Sequence, residues 1–473
     1  MKIHIFSEVR LDFCLDTWDT TDIGVMRLFT RVRLKNFRSF DEIELDLTSR
    51  DHAPKHLVTV FGENGAGKSN LMSAFSLLNE LIATMDVRDA YEELLSHKNI
   101  FSDENLEKAV KQKLLSGFRD MSAIINDYRM IGNDDPTYVE YEFSICGSIG
   151  TYYVEFDEKE IIRERLSYLL NQRKGTYFDC SREKISINSA IVADKDLFSD
   201  IRAVAKRFWG KHSLLAIIQH EIFDKSSAFA EGNLSRNFMN FFSEVWMLSC
   251  YIGIGARRWE KLNARYVVLE HPDQGDLPKK DEYQLDIAER IFTLFFSSIN
   301  CNIHKAYYYR RNNDKFVNYQ LFFEKKIAGA YRTIPFSMES TGNHQLLHVL
   351  CFLLSACLGE TVVIDEADSG IHDLLFQKII QEICPYIAGQ VILTSHNTML
   401  MQSDFAREST YILKEDDKGT KSVQCITDYD KRTYINNSIR NKYLNNEYGG
   451  IPRVQPIDFE QVINELRKGM VRR

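Results

Sequence analysis

Between residues 28 and 47 the run LFTRVRLKNFRSFDEIELDL alternates apolar and polar positions on either side of NFRSF, which predicts two paired strands. HLVTV, ending at Val60, reads as a short buried strand, and SNLMSAFSLLNELI after it has apolar residues at helical spacing. From about 84 to 133 the pattern turns charged and helical, as in ENLEKAVKQKLLSGF. TYVEYEFSICGSIGTYYVEF returns to strand, with Gly147 to Gly150 as the expected turn. Residues 160 to about 300 read as mostly helical. CNIHKAYYYRRNNDKFVNYQLFFEKK then restores strand character, with NND as a hairpin turn. These shifts divide the chain into the first part of an α/β core (1–83), a helical insertion (84–136), a core hairpin (137–160), a helical insertion or lobe (161–300), the second part of the core (301–425) and a C-terminal tail (426–473).

Composition narrows the class. The chain has 473 residues, of which 27% are charged and 44% hydrophobic, so a folded protein of two or three lobes is expected. A formal net charge of −8 argues against a surface that coats nucleic acid indiscriminately, leaving room for a confined basic groove. The nine cysteines form no C-x-x-C pair and read as buried thiols of a reducing compartment. LLHVLCFLLSACLG is too short to span a bilayer, and the charged N-terminus is unlike a secretory leader, so a cytoplasmic protein without a membrane role is expected.

The chemistry is concentrated in four places. FGENGAGKSN places Gly62, Gly67, Lys68 and Ser69 at P-loop spacing between a strand and a helix. Backbone N–H groups of such a loop wrap a phosphate, the lysine reaches the terminal phosphates and the hydroxyl binds Mg²⁺. A chance match is expected on the order of 0.01 times at this glycine content. ETVVIDEADSGIH puts Asp365 and Glu366 at the end of a buried strand, where the first carboxylate holds Mg²⁺ and the second polarises an attacking water. The same letters suit a plain acidic loop or a helicase, but the further motor motifs of a helicase are not found. GQVILTSHNTML carries His396 at a strand's C-terminal end, where it can donate to a γ-phosphate or serve structure alone. In SMESTGNHQLLHVL, Ser340 and Gly342 open an apolar helix, either as a phosphate-facing terminus or as an ordinary N-cap.

Taken in order, RLKNFRSF, GENGAGKSN, ESTGNHQLL, DEADSGIH and TSHNTML resemble the ABC ATPase superfamily on the branch of SMC, RecF and OLD proteins. Within it the chain is similar to ATPases of bacterial abortive-infection and other anti-phage modules, of the PARIS or Septu type without a Toprim domain. YLNNEYGGIP, from Tyr443 to Pro452, also looks like that group's C-terminal segment. The resemblance covers 26–82 and about 300–452. It implies an α/β, ABC-type P-loop ATPase head with helical insertions, using ATP and Mg²⁺. It further implies a homodimer, possible as a unit of a higher homo-oligomer, with two nucleotides sandwiched between heads. Gly62, Gly65, Gly67, Lys68 and Ser69, with Asn64 and Asn70 of the same run, would then face Ser340 and Gly342 of the other subunit. Asp365 and Ser69 would bind Mg²⁺, Glu366 would be the general base and His396 the γ-phosphate switch. Asn36 and Arg38 match the family's NFRS segment near the nucleotide, although an exposed arginine is an equally plain reading. STGNH departs from the usual signature, and no Q-loop glutamine can be assigned; Gln112 looks structural.

Only 77 residues follow His396, too few for a Toprim nuclease, and KEDDKG at 414–419 reads as a hairpin turn. The expectation is an ATP-driven sensor and scaffold holding a separate toxic effector of the nuclease class until a phage protein or nucleic-acid trigger arrives. A RecF/SMC-like DNA-repair or end-binding ATPase is the alternative, with YYYRRNNDK and GARRWEK as weak basic candidates. A structural protein that uses ATP only to assemble is a third class, which Glu366 and His396 oppose.

Overall fold

The computed structural model describes residues 27–145, 147–170, 173–191, 195–224, 251–254, 266–429, 438–451, 458–463 and 465, apart from 97–119. The helical reading of ENLEKAVKQKLLSGF, the GARRWEK run and Gln112 lie outside those residues. Along the chain, β1 (Arg27–Phe37) and β2 (Phe40–Asp46) pair antiparallel with Phe37 opposite Phe40. β3 (Leu57–Phe61) leads to the P-loop and α1 (Lys68–Ser96). After α2 (Met121–Tyr128), the strands β4 (Thr137–Ile145) and β5 (Ser148–Phe156) form the expected hairpin. Its turn is tighter than predicted, because Ile145 already faces Ser148 and Gly147 alone takes the left-handed φ of 79°, leaving Gly150 inside β5.

The helical reading of 161–300 is corrected at its start. β6 (Ile161–Leu170), β7 (Arg173–Ser181) and β8 (Ile185–Ile187) continue the sheet, giving the order β2-β1-β4-β5-β6-β7-β8. Alternation was disguised because the inward position between Ile161 and Leu166 is a carboxylate, Glu164, which is fully buried. Helices follow only at α3 (Lys195–Phe208) and α4 (Leu214–Asp224). The second half of the core also begins before residue 301, since β9 (Tyr251–Ile254) and β10 (Gln274–Pro278) are strands of two further sheets. α5 (Tyr283–Ile299) precedes β11 (Ile303–Asn312), β12 (Phe316–Ile327) and β13 (Ala330–Pro335). The β11–β12 turn falls on 313–315, one residue beyond the NND reading.

α6 (Thr341–Cys357), β14 (Thr361–Asp365), α7 (Asp373–Ile383), β15 (Gln390–Thr394), β16 (Thr410–Glu415), β17 (Lys421–Cys425) and the short α8 (Ile439–Leu444) complete the described elements used below. The central sheet runs β17-β16-β3-β15-β14-β9, parallel except for β17. KEDDKG is the β16–β17 turn, where the Asp416 carboxylate accepts from the backbone of Lys418 and Thr420. β3, β14 and β15 are buried on both faces, as parallel strands between two layers must be. One face, with Val58, Val60, Val363 and Ile392, packs against α1, α4 and the antiparallel sheet. The other, with Phe61, Ile364, Val391 and Leu393, packs against α5, α6 and the β10–β13 sheet.

A buried amide joins the two large sheets. Gln390 of β15 accepts from the Phe29 N–H at 2.9 Å and donates to the carbonyls of Phe29 at 3.0 Å and Lys55 at 2.8 Å. The six described cysteines are free, with Cys180, Cys351 and Cys425 buried and Cys301 exposed. Among the described residues, no helix is long and apolar enough to cross a membrane.

Candidate functional site

The site begins where β3 ends. Gly62 has no room for a side chain, because a Cβ there would lie 2.4 Å from the Leu413 carbonyl oxygen of β16. Gly67 takes φ 108°, and a Cβ would press on the Phe40 ring at 3.1 Å. The loop is therefore packed against backbone at Gly62 and against side chains of the β1–β2 turn at Gly67. Lys68 opens α1, and its Nζ donates to the carbonyls of Gly62 at 2.8 Å and Glu63 at 3.1 Å. Burial lowers its pKa, while Asp365, Glu366, Asp368 and Glu63 act in the opposite direction. Such a cation, desolvated and held by neutral carbonyls, suits an anionic ligand. α1 carries no acidic residue in its first turn, so its N-terminal N–H groups and dipole are not satisfied by its own carboxylates. Ser69 is exposed there, as are Asn64 and Gly65.

β14 delivers the acidic pair. Asp365 is 4% exposed, and its Oδ1 accepts from the Thr394 hydroxyl at 2.5 Å. The same hydroxyl accepts from the Glu366 N–H at 2.7 Å. Glu366 has φ 50°, a left-handed conformation that costs a non-glycine residue on the order of 1–3 kcal/mol. Thr394, at the end of β15, thus holds the Asp365 carboxylate and the Glu366 backbone, and its role was not read in the sequence. A threonine at the end of a buried strand, two residues before a candidate histidine, was the available signal. His396 is exposed, and its N–H donates to the Asp368 carboxylate at 3.2 Å. Asn397 fixes the turn beyond it, donating to the Asp373 carbonyl at 2.8 Å and accepting from the Met399 N–H at 2.9 Å.

Other predicted residues fall elsewhere. Asn36 is 3% exposed, and its amide is committed to the Pro136 carbonyl and to Asn133. The Arg38 guanidinium lies 4.6 Å from the Tyr128 ring centroid and donates to the Asp127 carbonyl. These bonds lock the β1–β2 turn onto the α2 region. The next residues of that turn do reach the loop: Ser39 Oγ accepts from Asn70 at 2.7 Å, and Phe40 borders Gly67. Asn70 is therefore occupied as a strut. Ser340 caps α6, accepting from the Asn343 N–H at 3.3 Å, and Gly342 lies against the Gly370 carbonyl of the loop after β14. No described hydrogen bond joins Ser340 to the P-loop of its own chain.

The donor set fits ATP with Mg²⁺: backbone N–H groups and Lys68 for phosphate oxygens, with the Ser69 hydroxyl and Asp365 carboxylate as hard oxygen ligands. The described residues contain no group of three or more His, Cys, Asp or Glu side chains able to hold a metal by themselves. Any Mg²⁺ here would rely on phosphate oxygens as well.

Residues 57–402, most of the chain, match the family described as "AAA domain, putative AbiEii toxin, Type IV TA system". The chain belongs to this AAA family. Residues 31–78 also match a second AAA-domain family. AAA domains as a class bind and hydrolyse ATP with Mg²⁺, and the α/β P-loop head read in the sequence agrees with the assignment. No curated protein matches the AAA chain. Among solved structures it is similar to the SMC head domain from Thermotoga maritima, at 15% identity and TM-score 0.37, covering 84% of this chain and 98% of that one. It is also similar to the Pyrococcus furiosus Smc head bound to the ScpA C-terminal domain, at 14% identity and TM-score 0.39, covering 86% and 98%. RecF, a recombination mediator protein, gives 12% identity and TM-score 0.35, covering 84% and 98%. Likeness at this level says nothing of this chain's ligands or partners.

Proposed function

We propose that this chain is an ATP-hydrolysing switch that pairs head to head and controls a separate toxic effector of the nuclease class in an anti-phage system. The observation that carries the enzymatic part is the Thr394 hydroxyl bonded at once to Asp365 and to the strained backbone of Glu366, facing the field of Lys68. In this reading the P-loop N–H groups and Lys68 grip the β- and γ-phosphates, and Asp365 and Ser69 hold Mg²⁺. Bound Mg²⁺ would supply charge neutralisation at the phosphates. Glu366, exposed at the strand end, accepts the proton of the attacking water, and His396 sits on the adjacent strand end to report on the γ-phosphate.

Head pairing is supported by Ser340 at the exposed start of α6, with Met338 beside it 75% exposed. The family's description as an abortive-infection, toxin–antitoxin module supports the defence setting. The test is coexpression: the chain alone leaves growth unaffected and degrades neither DNA nor RNA, but copurifies with the product of its neighbouring gene. A phage component should release that product only when Lys68 and Glu366 are intact. Full phage protection by the chain alone defeats the proposal.

A second reading, a DNA-end-binding ATPase, is favoured by one surface. On the outer face of the β11–β12 sheet, Tyr307 stacks on Phe322 with centroids 5.9 Å apart, and Tyr309 meets the same ring edge-on. Lys305 and Arg311 lie over Tyr307 and Tyr309. Aromatic and basic side chains together suit stacked bases and phosphates. Salt-sensitive binding to DNA ends, with ATPase stimulated by those ends, would select this reading.

A further inference from the structure

We propose that the segment Ser438–Ile451 is a strap across the nucleotide site, and that Arg440 and Tyr443 within it are positioning residues for hydrolysis. The proposal rests on the ATP-site reading above. Nothing in that reading uses the segment, yet the segment touches the elements that carry both the P-loop and His396. At one end, Arg440 Nε donates to Thr398 Oγ1 at 3.1 Å, two residues beyond His396. At the other, the Tyr443 ring packs on Phe61, the last residue of β3, with centroids 6.0 Å apart.

The strap is locked to itself between these contacts. The Tyr443 hydroxyl donates to the Gly450 carbonyl at 3.1 Å, and Ser438 caps α8 by accepting from the Asn441 N–H. Gly450 adopts φ 82°, and a Cβ there would stand 2.9 Å from Ile412 Cγ2 and 3.5 Å from Gly62 Cα. The same Gly450 Cβ would lie 3.5 Å from the Leu413 carbonyl oxygen, which also blocks a Cβ on Gly62. The first P-loop residue thus meets the backbones of Leu413 and Gly450 with no side chain of its own as a cushion. Burial and the neighbouring Glu63 push the Tyr443 hydroxyl up to about 12, so it stays a donor at neutral pH.

The consequence is geometric. Gly62 fixes where the P-loop starts, and Thr398 fixes the turn that carries His396, so the strap holds the two loops at one separation. Ground-state grip on phosphate depends on Lys68 and the N–H groups beyond Gly62, with which the strap makes no described hydrogen bond; its contacts with the loop end at Phe61 and Gly62. Hydrolysis also needs His396 and Glu366 in register with that phosphate, where a displacement of about 1 Å can cost as much as 10²-fold. Loss of the strap contacts therefore lowers kcat more than it weakens binding.

The experiment measures kcat, KM and calorimetric Kd for Mg-ATP, with thermal midpoints, in Arg440→Ala, Arg440→Lys, Tyr443→Phe and Gly450→Ala. Arg440→Ala and Tyr443→Phe should lose about tenfold in kcat while Kd stays within about twofold of wild type. Arg440→Lys, which keeps a donor, should recover most of the rate. Gly450→Ala should lose rate at least as strongly; if it fails to fold, the two polar variants still decide. Wild-type kcat in both polar variants overturns the strap alone. So does a rate loss that merely follows a lowered thermal midpoint and is not restored by Arg440→Lys. A wild-type chain that binds no ATP instead sinks the site reading and takes the strap with it.

Discussion

Replacing Thr394 by valine isolates the step on which the acidic pair depends. The side chain is fully buried and valine preserves its shape, so the change removes one hydroxyl and leaves packing intact. Two bonds go with it: the 2.5 Å donation to Asp365 and the 2.7 Å acceptance from the Glu366 N–H. A bond to a charged acceptor contributes about 1.5–3 kcal/mol, and the part-buried Glu366 N–H left without a partner costs up to about 1–3 kcal/mol. The second loss matters more for chemistry. Glu366 is held at φ 50°, and the strain of that conformation is of the same size as the bond that maintains it. Without the bond the backbone relaxes and the carboxylate moves by about an ångström, a displacement worth up to about 10² in rate. Phosphate release at saturating Mg-ATP should fall by about that factor in Thr394→Val, with ATP affinity within about tenfold of wild type and near-wild-type turnover in Thr394→Ser. Turnover of Thr394→Val within about twofold of wild type would refute the reasoning, whatever the thermal midpoint does.

Three further outcomes follow from the same geometry. Lys68→Ala should weaken ATP binding by about 10–100-fold in calorimetry, because a charge-assisted bond to phosphate is removed; unchanged affinity would remove the P-loop assignment. Glu366→Gln should bind ATP while hydrolysing about 10² or more times slower, with ATP-bound dimers accumulating in light scattering; wild-type turnover would place the base elsewhere. Burial pushes the Glu164 carboxyl up from 4.5 to about 7 despite bonds from Trp209, Tyr152 and the N–H groups of Leu214 and Leu215. With the folded value raised, its contribution to stability is fully present below about 4.5 and is lost as pH rises through about 7, a change on the order of 3 kcal/mol. Thermal midpoints of wild type and Glu164→Gln measured from pH 5 to 8 should differ in slope with that sign; parallel profiles would show that Glu164 does not titrate there.

What the sequence made legible were features with local physical causes. The β1–β2 pair follows from alternation, and β3, β14 and β15 from short apolar runs. The P-loop follows from glycines that its backbone packing requires. Asp365 and His396 drew attention because each stands at or just beyond the end of such a strand, and Lys68 because of its spacing in the glycine loop. The features that escaped are non-local. β6 was hidden by Glu164, an inward carboxylate that is satisfied only by groups on β5 and on the α3–α4 connection. Thr394 acts on residues 28 and 29 positions earlier, and no pattern within its own strand reveals that. Asn36 and Arg38 were drawn towards the nucleotide by their motif, whereas the neighbouring Ser39 and Phe40 make the contacts with the P-loop and its helix.

The contacts of Ser39 and Phe40 indicate how the antiparallel sheet serves the site. The β1–β2 turn buttresses Gly67 and Asn70 at the start of α1, and β4, α2 and the residue ahead of α4 then hold the helix at residues 74–81. The Tyr141 hydroxyl of β4 donates to the Ala74 carbonyl, the Tyr128 hydroxyl of α2 to Glu80 at 2.9 Å, and the Ser213 hydroxyl ahead of α4 to the Leu81 carbonyl at 2.7 Å. Ser213 is followed by Leu214, whose N–H is bound by the buried Glu164 carboxylate at 2.7 Å. α1 spans 29 residues, roughly 43 Å at helical rise, so one rigid element begins at the phosphate loop and lies against the outer lobe. A partner that rearranged α4 would act on α1 through the Ser213 bond, and a shift of α1 along its axis would act directly on Lys68 and Ser69. Two arrangements of that helix would have to be observed before such contacts count as coupling. Hydrogen exchange of residues 74–81 with and without Mg-ATP addresses this: protection that changes on nucleotide binding, and no longer does so in Lys68→Ala, identifies α1 as the moving part, whereas invariant protection leaves it a fixed strut.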